Sequence, residues 1–301
     1  MKCSRCSEKA VYIRRYSGQS FCRYHFLEYF ERKVNKTLKI EKMLNRSEKV
    51  ALAISGGKDS LTLVHIIKKL GKKLDLELHC ILVDEGIGGY REKTVKIAEE
   101  FCRKLDLELE VISFRQEYSK SLDEMVELGK RTPCTYCGVF RRELLNLKAL
   151  ELGAHRLATG HNLDDEVQAI LMNYIKGDVE RLIKIGTTTG KPRLVARIKP
   201  LIEMPEKEVA LFSILNDFPV SFDECPYATS FRARIRDMIN NLEESSPGIK
   251  YSILSGYRKL LGKITSPEVS SSPMRKCEKC SNTTSQAVCM GCRLREELGI
   301  S

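Results

Sequence analysis

The chain has 301 residues, 42% hydrophobic and 30% charged, a globular balance that excludes a disordered polyelectrolyte. No run of about 18 uncharged apolar residues occurs, which excludes a helical membrane span. Lys and Arg number 51 against 40 Asp and Glu, a net charge of +11, and residues 1–49 hold 13 of the basic and only 5 of the acidic residues.

The first residues, Met1-Lys2-Cys3-Ser4-Arg5-Cys6, lack the apolar segment of a secretion signal, so a cytoplasmic protein is expected. The basic arm that follows interleaves Tyr12, Tyr16, Phe21, Tyr24, Phe26 and Tyr29 with its cations. That mixture suits a polyanion such as nucleic acid. A solvated basic face over a small aromatic core accounts for it equally well.

Twelve cysteines in a reducing compartment point to metal rather than disulfides. Cys3 and Cys6 are followed by Cys22 and His25; near the other end stand Cys277, Cys280, Cys289 and Cys292. Zinc takes four tetrahedral N/S ligands, and a pair two residues apart lets a tight turn bite with both. Segments of about 25 residues cannot bury a core of their own, so the ion must supply folding energy. Each set therefore predicts a structural zinc knuckle, one over residues 1–26 and one over 277–301. Residues 263–276, rich in Ser and Pro, read as the linker to the second.

Between the knuckles, Phe26, Phe30, Val34 and Leu38 recur at helical spacing and predict a connecting helix over 27–48. The catalytic domain is expected over 49–262. Its first strand, 49–54, runs into Ser55-Gly56-Gly57-Lys58-Asp59-Ser60 and a helix over 61–70. A strand over 76–83 ends at Asp84-Glu85-Gly86, then come a helix over 90–105, a strand over 109–114 and a helix over 140–152. A strand over 156–159 closes at Gly160-His161-Asn162-Leu163-Asp164-Asp165-Glu166 before another helix. The alternation predicts an α/β fold with a doubly wound parallel sheet and a ligand at the carboxyl ends of its strands.

Two glycines directly after a strand let the backbone turn sharply and approach a ligand. The helix start behind them offers free N–H groups and a positive dipole end to phosphate. Ser55 and Ser60 add hydroxyls and Lys58 a cation. The spacing is not that of a Walker A loop. A third cysteine group, Cys134 and Cys137 in Pro133-Cys134-Thr135-Tyr136-Cys137 with Cys225 far downstream in Glu224-Cys225-Pro226-Tyr227, has three thiols and no fourth. Cys80 and Cys102 read as core, and His65 and His79 as packing or surface residues. His161 sits where it could touch a nucleotide. Arg232, Arg234 and Arg236 suit either nucleic-acid phosphates or a solvated helix face.

Ser55-Gly56-Gly57-Lys58-Asp59-Ser60 resembles the PP-loop of N-type ATP pyrophosphatases. With both knuckles, the central cysteines and the Gly160-to-Glu166 segment, almost the whole chain resembles the tRNA 2-thiouridine synthetases. That group includes archaeal and eukaryotic cytosolic enzymes for wobble uridine 34 and thermophile enzymes for the T-loop uridine 54. The resemblance implies a HUP-like doubly wound sheet and an enzyme that adenylates the 2-position oxygen of a uridine, then replaces AMP by sulfur. ATP with Mg2+ would lie on Ala53, Ser55, Gly56, Gly57, Lys58, Asp59, Ser60, Val83, Gly160 and Asp165, the adenine near Ala53 and Val83. Asp59 and Asp165 are implied in metal, nucleotide or proton-transfer work. Arg141 stands where the family places a helpful basic residue, often Lys; since Arg does not give up its proton, its expected role is electrostatic.

For Cys134, Cys137 and Cys225 the resemblance implies a 4Fe-4S cluster with one open iron able to bind hydrosulfide. A persulfide resolved by a partner cysteine, or a structural zinc completed by a nearby Asp or His, fits the same spacing. The expected partners are tRNA, a sulfur donor (sulfide, a persulfide protein or a thiocarboxylate carrier) and a second copy in a homodimer. A tRNA 2-thiocytidine synthetase is the nearest alternative enzyme. The three cysteines argue against an ammonia-dependent ligase, and the intact loop against a non-catalytic zinc RNA-binding protein.

Overall fold

The computed structural model describes residues 1–185, 193–221, 223–228, 231–264 and 275–300, so most of the linker expected over 263–276 lies outside the described residues. An antiparallel hairpin, β1 (Tyr12–Arg14) and β2 (Gln19–Phe21), leads into α1 (Arg23–Ile40). Phe26, Phe30, Val34 and Leu38 are buried along one face of α1, as their spacing requires. The helix starts before residue 27, so that His25 lies in its first turn, and it ends before the left-handed residues Lys42 and Ser47.

The central sheet then forms from β3 (Lys49–Ala53), α2 (Lys58–Leu74), β4 (Glu77–Asp84), α3 (Arg91–Lys104) and β5 (Leu109–Ser113). Two short helices follow, α4 (Phe114–Tyr118) and α5 (Leu122–Leu128), each opened by a capping box. Next come α6 (Pro133–Glu151), β6 (Arg156–Ala158), α7 (Leu163–Ile175), α8 (Val179–Lys184), β7 (Ala196–Ile198) and α9 (Glu206–Leu215). The chain closes through α10 (Phe231–Ser245), α11 (Ile249–Ile264), the strand pair β8 (Arg275–Lys276) and β9 (Thr283–Thr284), and α12 (Met290–Leu298). None of the described helices is long and apolar enough to cross a membrane.

The sheet order is β5-β4-β3-β6-β7 and every pairing is parallel. The chain winds outward from β3 to β5, then returns to the other side of β3 for β6 and β7. This is the doubly wound sheet expected above, and its switch point lies between the carboxyl ends of β3 and β6. Side chains alternate across the sheet as the pleat demands. Val50 and Leu52 enter the core beneath α1, α2, α3 and α9, while Ala51 and Leu157 enter the one beneath α4, α5, α6 and α12. A third core joins α7, α10 and α11 through Val167, Ile239 and Leu254.

One expected boundary is corrected. The helix expected from residue 140 begins at Pro133, so Cys134 and Cys137 belong to its first turns rather than to a loop before it. Proline suits the first helical position, where its missing N–H removes no helical hydrogen bond.

Candidate functional site

At the end of β3 the backbone turns at Gly56, whose φ is +82°; a Cβ there would stand 2.1 Å from the carbonyl oxygen of Thr94 in α3. No other residue fits. Gly57 caps α2 without a side-chain hydrogen bond, so the first N–H groups of the helix face an open site. Ser60 Oγ accepts from the Ser55 amide at 3.0 Å and donates to the Gly57 carbonyl at 2.9 Å, which holds the loop closed on itself. After β6, Gly160 also approaches closely: a Cβ there would lie 2.9 Å from the carbonyl carbon of Asp59.

The acidic residues meet at this crossing. Asp59 Oδ1 accepts from Asn162 Nδ2 at 2.9 Å, and Asp59 Oδ2 lies 3.1 Å from Lys58 Nζ. Asn162 caps α7 in a box with Asp165, which fixes Asp165 toward the same opening. Asp165 Oδ1 is 2.7 Å from Arg232 Nη2. Burial pushes the Asp165 carboxyl up to about 6, against the pull of Arg232 and with a further push from Asp59. Asp59 is raised too, by burial, against Lys58 and Asn162. Lys58, the cation expected in the loop, has Glu206 Oε1 2.8 Å from its Nζ as well as Asp59. His161 is exposed, its Nδ1 2.9 Å from Thr159 Oγ1. Desolvation, then Lys199, Arg141, Arg197 and Arg232, lower its pKa from the usual value.

Of the third cysteine group, Cys134 and Cys137 stand on α6 and Cys225 in the coil before α10. Cys134 is exposed, and Cys137 and Cys225 are half-buried. Burial pushes the Cys137 thiol up to about 11, with Arg141 pulling it down and Glu85, Cys134 and Cys225 pushing it further up. Arg141, one helical turn beyond Cys137, places Nη1 3.3 Å from Glu85 Oε1. Among the described residues, the groups whose ligand atoms all lie within 4.8 Å of one another are the two terminal sets; the central trio is wider. Thiolates that share one zinc crowd together, whereas those of a cubane sit on different irons and stand farther apart. The width of the trio therefore suits a cluster better than a single zinc.

The terminal sets have the contrary geometry. Cys6 and Cys22 sulfurs are 3.7 Å apart, and His25 Nδ1 is 3.5 Å from Cys3 Sγ and 3.3 Å from Cys22 Sγ. At the other end Cys277 Sγ is 3.8 Å from Cys292 Sγ, and Cys280 Sγ 3.6 Å from Cys289 Sγ. Tetrahedral bonds of about 2.3 Å to one zinc would set sulfurs roughly 3.8 Å apart. Both sets fit that ion.

Other expectations resolve at the surface and core. Cys80 and Cys102 are buried in one core. His65 packs against Phe212 and Phe218, and His79 lies 2.9 Å from Glu77. Arg232 serves Asp165, Arg236 pairs with Glu224 at 3.0 Å, and Arg234 is exposed. Asn162, Glu206, Glu85 and Arg91 contact the site without having been singled out. Asn162 and Glu85 stood in the strand-end segments already marked, while no local pattern pointed to Glu206 or Arg91.

The PP-loop domain family matches residues 26–243, and the family described as 2-thiouridine synthetase TtuA, N-terminal LIM domain, matches residues 2–27. A probable sulfurtransferase of Methanocaldococcus jannaschii is 40% identical, covering 97% of this chain and 86% of its own length. The tRNA-5-methyluridine(54) 2-sulfurtransferase of Pyrococcus horikoshii is 33% identical, covering 97% of this chain and 93% of its own. A solved structure, the U34-tRNA thiolase NcsA from Methanococcus maripaludis with its 4Fe-4S cluster, superposes with a TM-score of 0.89 at 38% identity, covering 100% of this chain and 97% of that one.

Proposed function

The chain belongs to the tRNA 2-thiouridine synthetase family of PP-loop proteins, and from that premise we propose that it adenylates the 2-position oxygen of uridine 34 in tRNA and then exchanges AMP for sulfur. It is a tRNA sulfurtransferase with an ATP-binding PP-loop. The observation that carries the mechanism is a chain of contacts: the loop after β3 meets the capped turn after β6 through Asp59 and Asn162, and it is joined to Cys137 and Arg141 of α6 through Arg91 and Glu85.

The 2-oxygen of uracil is a poor leaving group. Its attack on the α-phosphate of ATP expels pyrophosphate and leaves the ring carbon open to a sulfur nucleophile, which displaces AMP. The free N–H groups at the start of α2 cradle the phosphates, and the Ser55 and Ser60 hydroxyls hold the loop in the shape that presents them. Adenine lies against Ala53 and Val83. Asp59 and Asp165 would hold the Mg2+ that accompanies ATP, which when bound neutralises the charge of the departing pyrophosphate, or would take the proton released as the oxygen is activated. Arg141, permanently charged, steadies negative charge between nucleotide and cysteines. Cys134, Cys137 and Cys225 would hold a 4Fe-4S cluster, which when bound supplies an open iron position for the incoming sulfur. The two terminal sets would hold structural zinc.

Position 34 is supported by the solved relative, matched along the whole chain at 38% identity and named for that position, against 33% for the position-54 relative. A cytoplasmic location, a homodimer and an external sulfur donor follow the family pattern. The test is anaerobic incubation with unmodified tRNA, ATP and sulfide, followed by mass mapping of nuclease fragments. Sulfur should appear in the fragment that holds uridine 34; sulfur at uridine 54 would overturn the position. In parallel, Cys225→Ala should form no thiouridine while still binding ATP, and full activity would refute the cysteine role.

A further inference from the structure

We propose that Glu85 and Arg91 are positioning residues that tie the nucleotide loop to the cysteine trio, so that a change at one half of the groove is felt at the other. The inference rests on the two-step reading above for its purpose, but its geometry is independent of it. Arg91 opens α3 with its side chain only 6% exposed, and Glu85 follows β4 with its side chain 4% exposed. Their atoms Nε and Oε2 stand 2.7 Å apart. The guanidinium reaches both ways from there. Nη1 donates to the Ser55 carbonyl at 3.1 Å and to Thr94 Oγ1 at 3.0 Å, while Nη2 donates to the Val83 carbonyl at 2.6 Å. One planar fork thus pins the first residue of the loop to the end of the neighbouring strand.

Glu85 carries the connection onward. Its Oε1 accepts from Arg141 Nη1 at 3.3 Å and faces the Cys137 sulfur at 3.9 Å. Its carbonyl accepts from the Leu122 amide at 2.7 Å, which anchors the turn to α5. Gly86 cannot yield either, since its φ is +70° and a Cβ would stand 2.7 Å from the Ser121 side chain. Buried ion pairs are seldom kept for stability alone, because desolvation costs about as much as the attraction returns. Removing one partner, however, leaves a buried charge uncompensated, and the remaining partner must move. Here that movement would pass to Ser55 on one side and to Arg141 and Cys137 on the other. A two-step reaction in one groove needs the activated carbon and the sulfur held in register, and this pair supplies the fixed spacer.

The test reads each variant at the site it does not touch. Glu85→Gln makes no contact with the loop, yet it should weaken binding of a non-hydrolysable ATP analogue, measured by calorimetry on the full chain before iron loading, by about fivefold or more. Arg91→Lys touches no cysteine, yet it should lower the iron and acid-labile sulfide retained after anaerobic reconstitution to less than about half of the wild-type content. Effects confined to the near site, or a lower melting temperature with both readouts unchanged, would overturn the proposal. If Arg91→Lys fails to fold, Thr94→Val removes one partner of the guanidinium and should give the same distant loss at smaller amplitude; no distant loss would count against the proposal. A wild-type protein that takes up no iron refutes the cluster reading, and the effect of Glu85→Gln on nucleotide binding then decides the link by itself.

Discussion

Asp59 sits between Lys58 and Asn162, and its carboxylate is the point where the loop after β3 meets the turn after β6. Asp59→Ala should cut tRNA-dependent pyrophosphate release by roughly 100-fold, the usual cost of losing one electrostatic partner of a transition state. Gel-shift affinity for tRNA should stay within about twofold, since nucleic-acid affinity is spread over many phosphate contacts. Unchanged pyrophosphate release would remove Asp59 from the reaction. Gly56 is constrained differently. Gly56→Ala adds about 1–2 kcal/mol of left-handed backbone strain and drives a methyl into the Thr94 carbonyl. The variant should melt lower and bind ATP at least tenfold more weakly; a melt and affinity equal to wild type would show that the loop is looser than its geometry requires.

At the scale of elements, the N-terminal hairpin and α1 are held to α9 through Glu208. This fully buried carboxylate accepts from Tyr12 and Tyr29, at 3.1 and 3.2 Å. Burial raises its pKa above the ordinary value of 4.5, with Lys33 pulling the other way. A carboxyl with a raised native pKa binds its proton more tightly when folded, so its stabilisation is complete below about pH 4.5 and is lost as pH rises through the native value. Glu208→Gln keeps an acceptor for both tyrosines and removes the charge. It should melt higher than wild type at pH 8, and the difference should close toward pH 4. A variant that melts lower at pH 8 would show that Lys33 and the tyrosines outweigh burial.

The elements also show how far the chain could be read without its structure. The strands β3 and β4 were legible because a buried parallel strand is an unbroken apolar run, and Val50 to Ile54 and Cys80 to Val83 are such runs. β7 was not, since it has three residues with Arg197 in the middle. α4 and α5 are too short to show a period. The start of α6 carried a signal in Pro133, masked by the habit of placing metal-binding cysteine pairs in turns. In the site, the glycine turn after β3 was legible because it follows a strand and opens a helix, whereas the roles expected of Asp59, Asp165 and the central cysteines came from the family resemblance. Arg91 meets Ser55 across 36 positions and Lys58 meets Glu206 across 148, so only the folded sheet brings them together.

Over the whole molecule, the two cysteine-rich ends do more than close the chain. The last helix, α12, lies on α6, the helix that carries Cys134 and Cys137. Leu294 and Leu298 enter the same core as Phe140, Arg295 is 3.1 Å from Glu143, and Arg131 is 2.8 Å from Glu297. The second knuckle thus braces the cysteine helix. Cys289→Ser combined with Cys292→Ser should cost one zinc per chain and speed amide exchange across residues 133–151, because a metal held there would supply the folding energy of so small a module. Unchanged exchange over α6 would mean that α12 docks without its zinc.

The central claim is that the PP-loop and a three-cysteine cluster share one groove between two zinc modules. It is tested most directly by measuring iron, acid-labile sulfide and zinc on the full chain purified without oxygen, with its absorption spectrum. The account predicts about four iron, four sulfide and two zinc per chain, and loss of the iron and sulfide but not the zinc in Cys225→Ala. Two or three zinc with no iron, even after reconstitution, would contradict it.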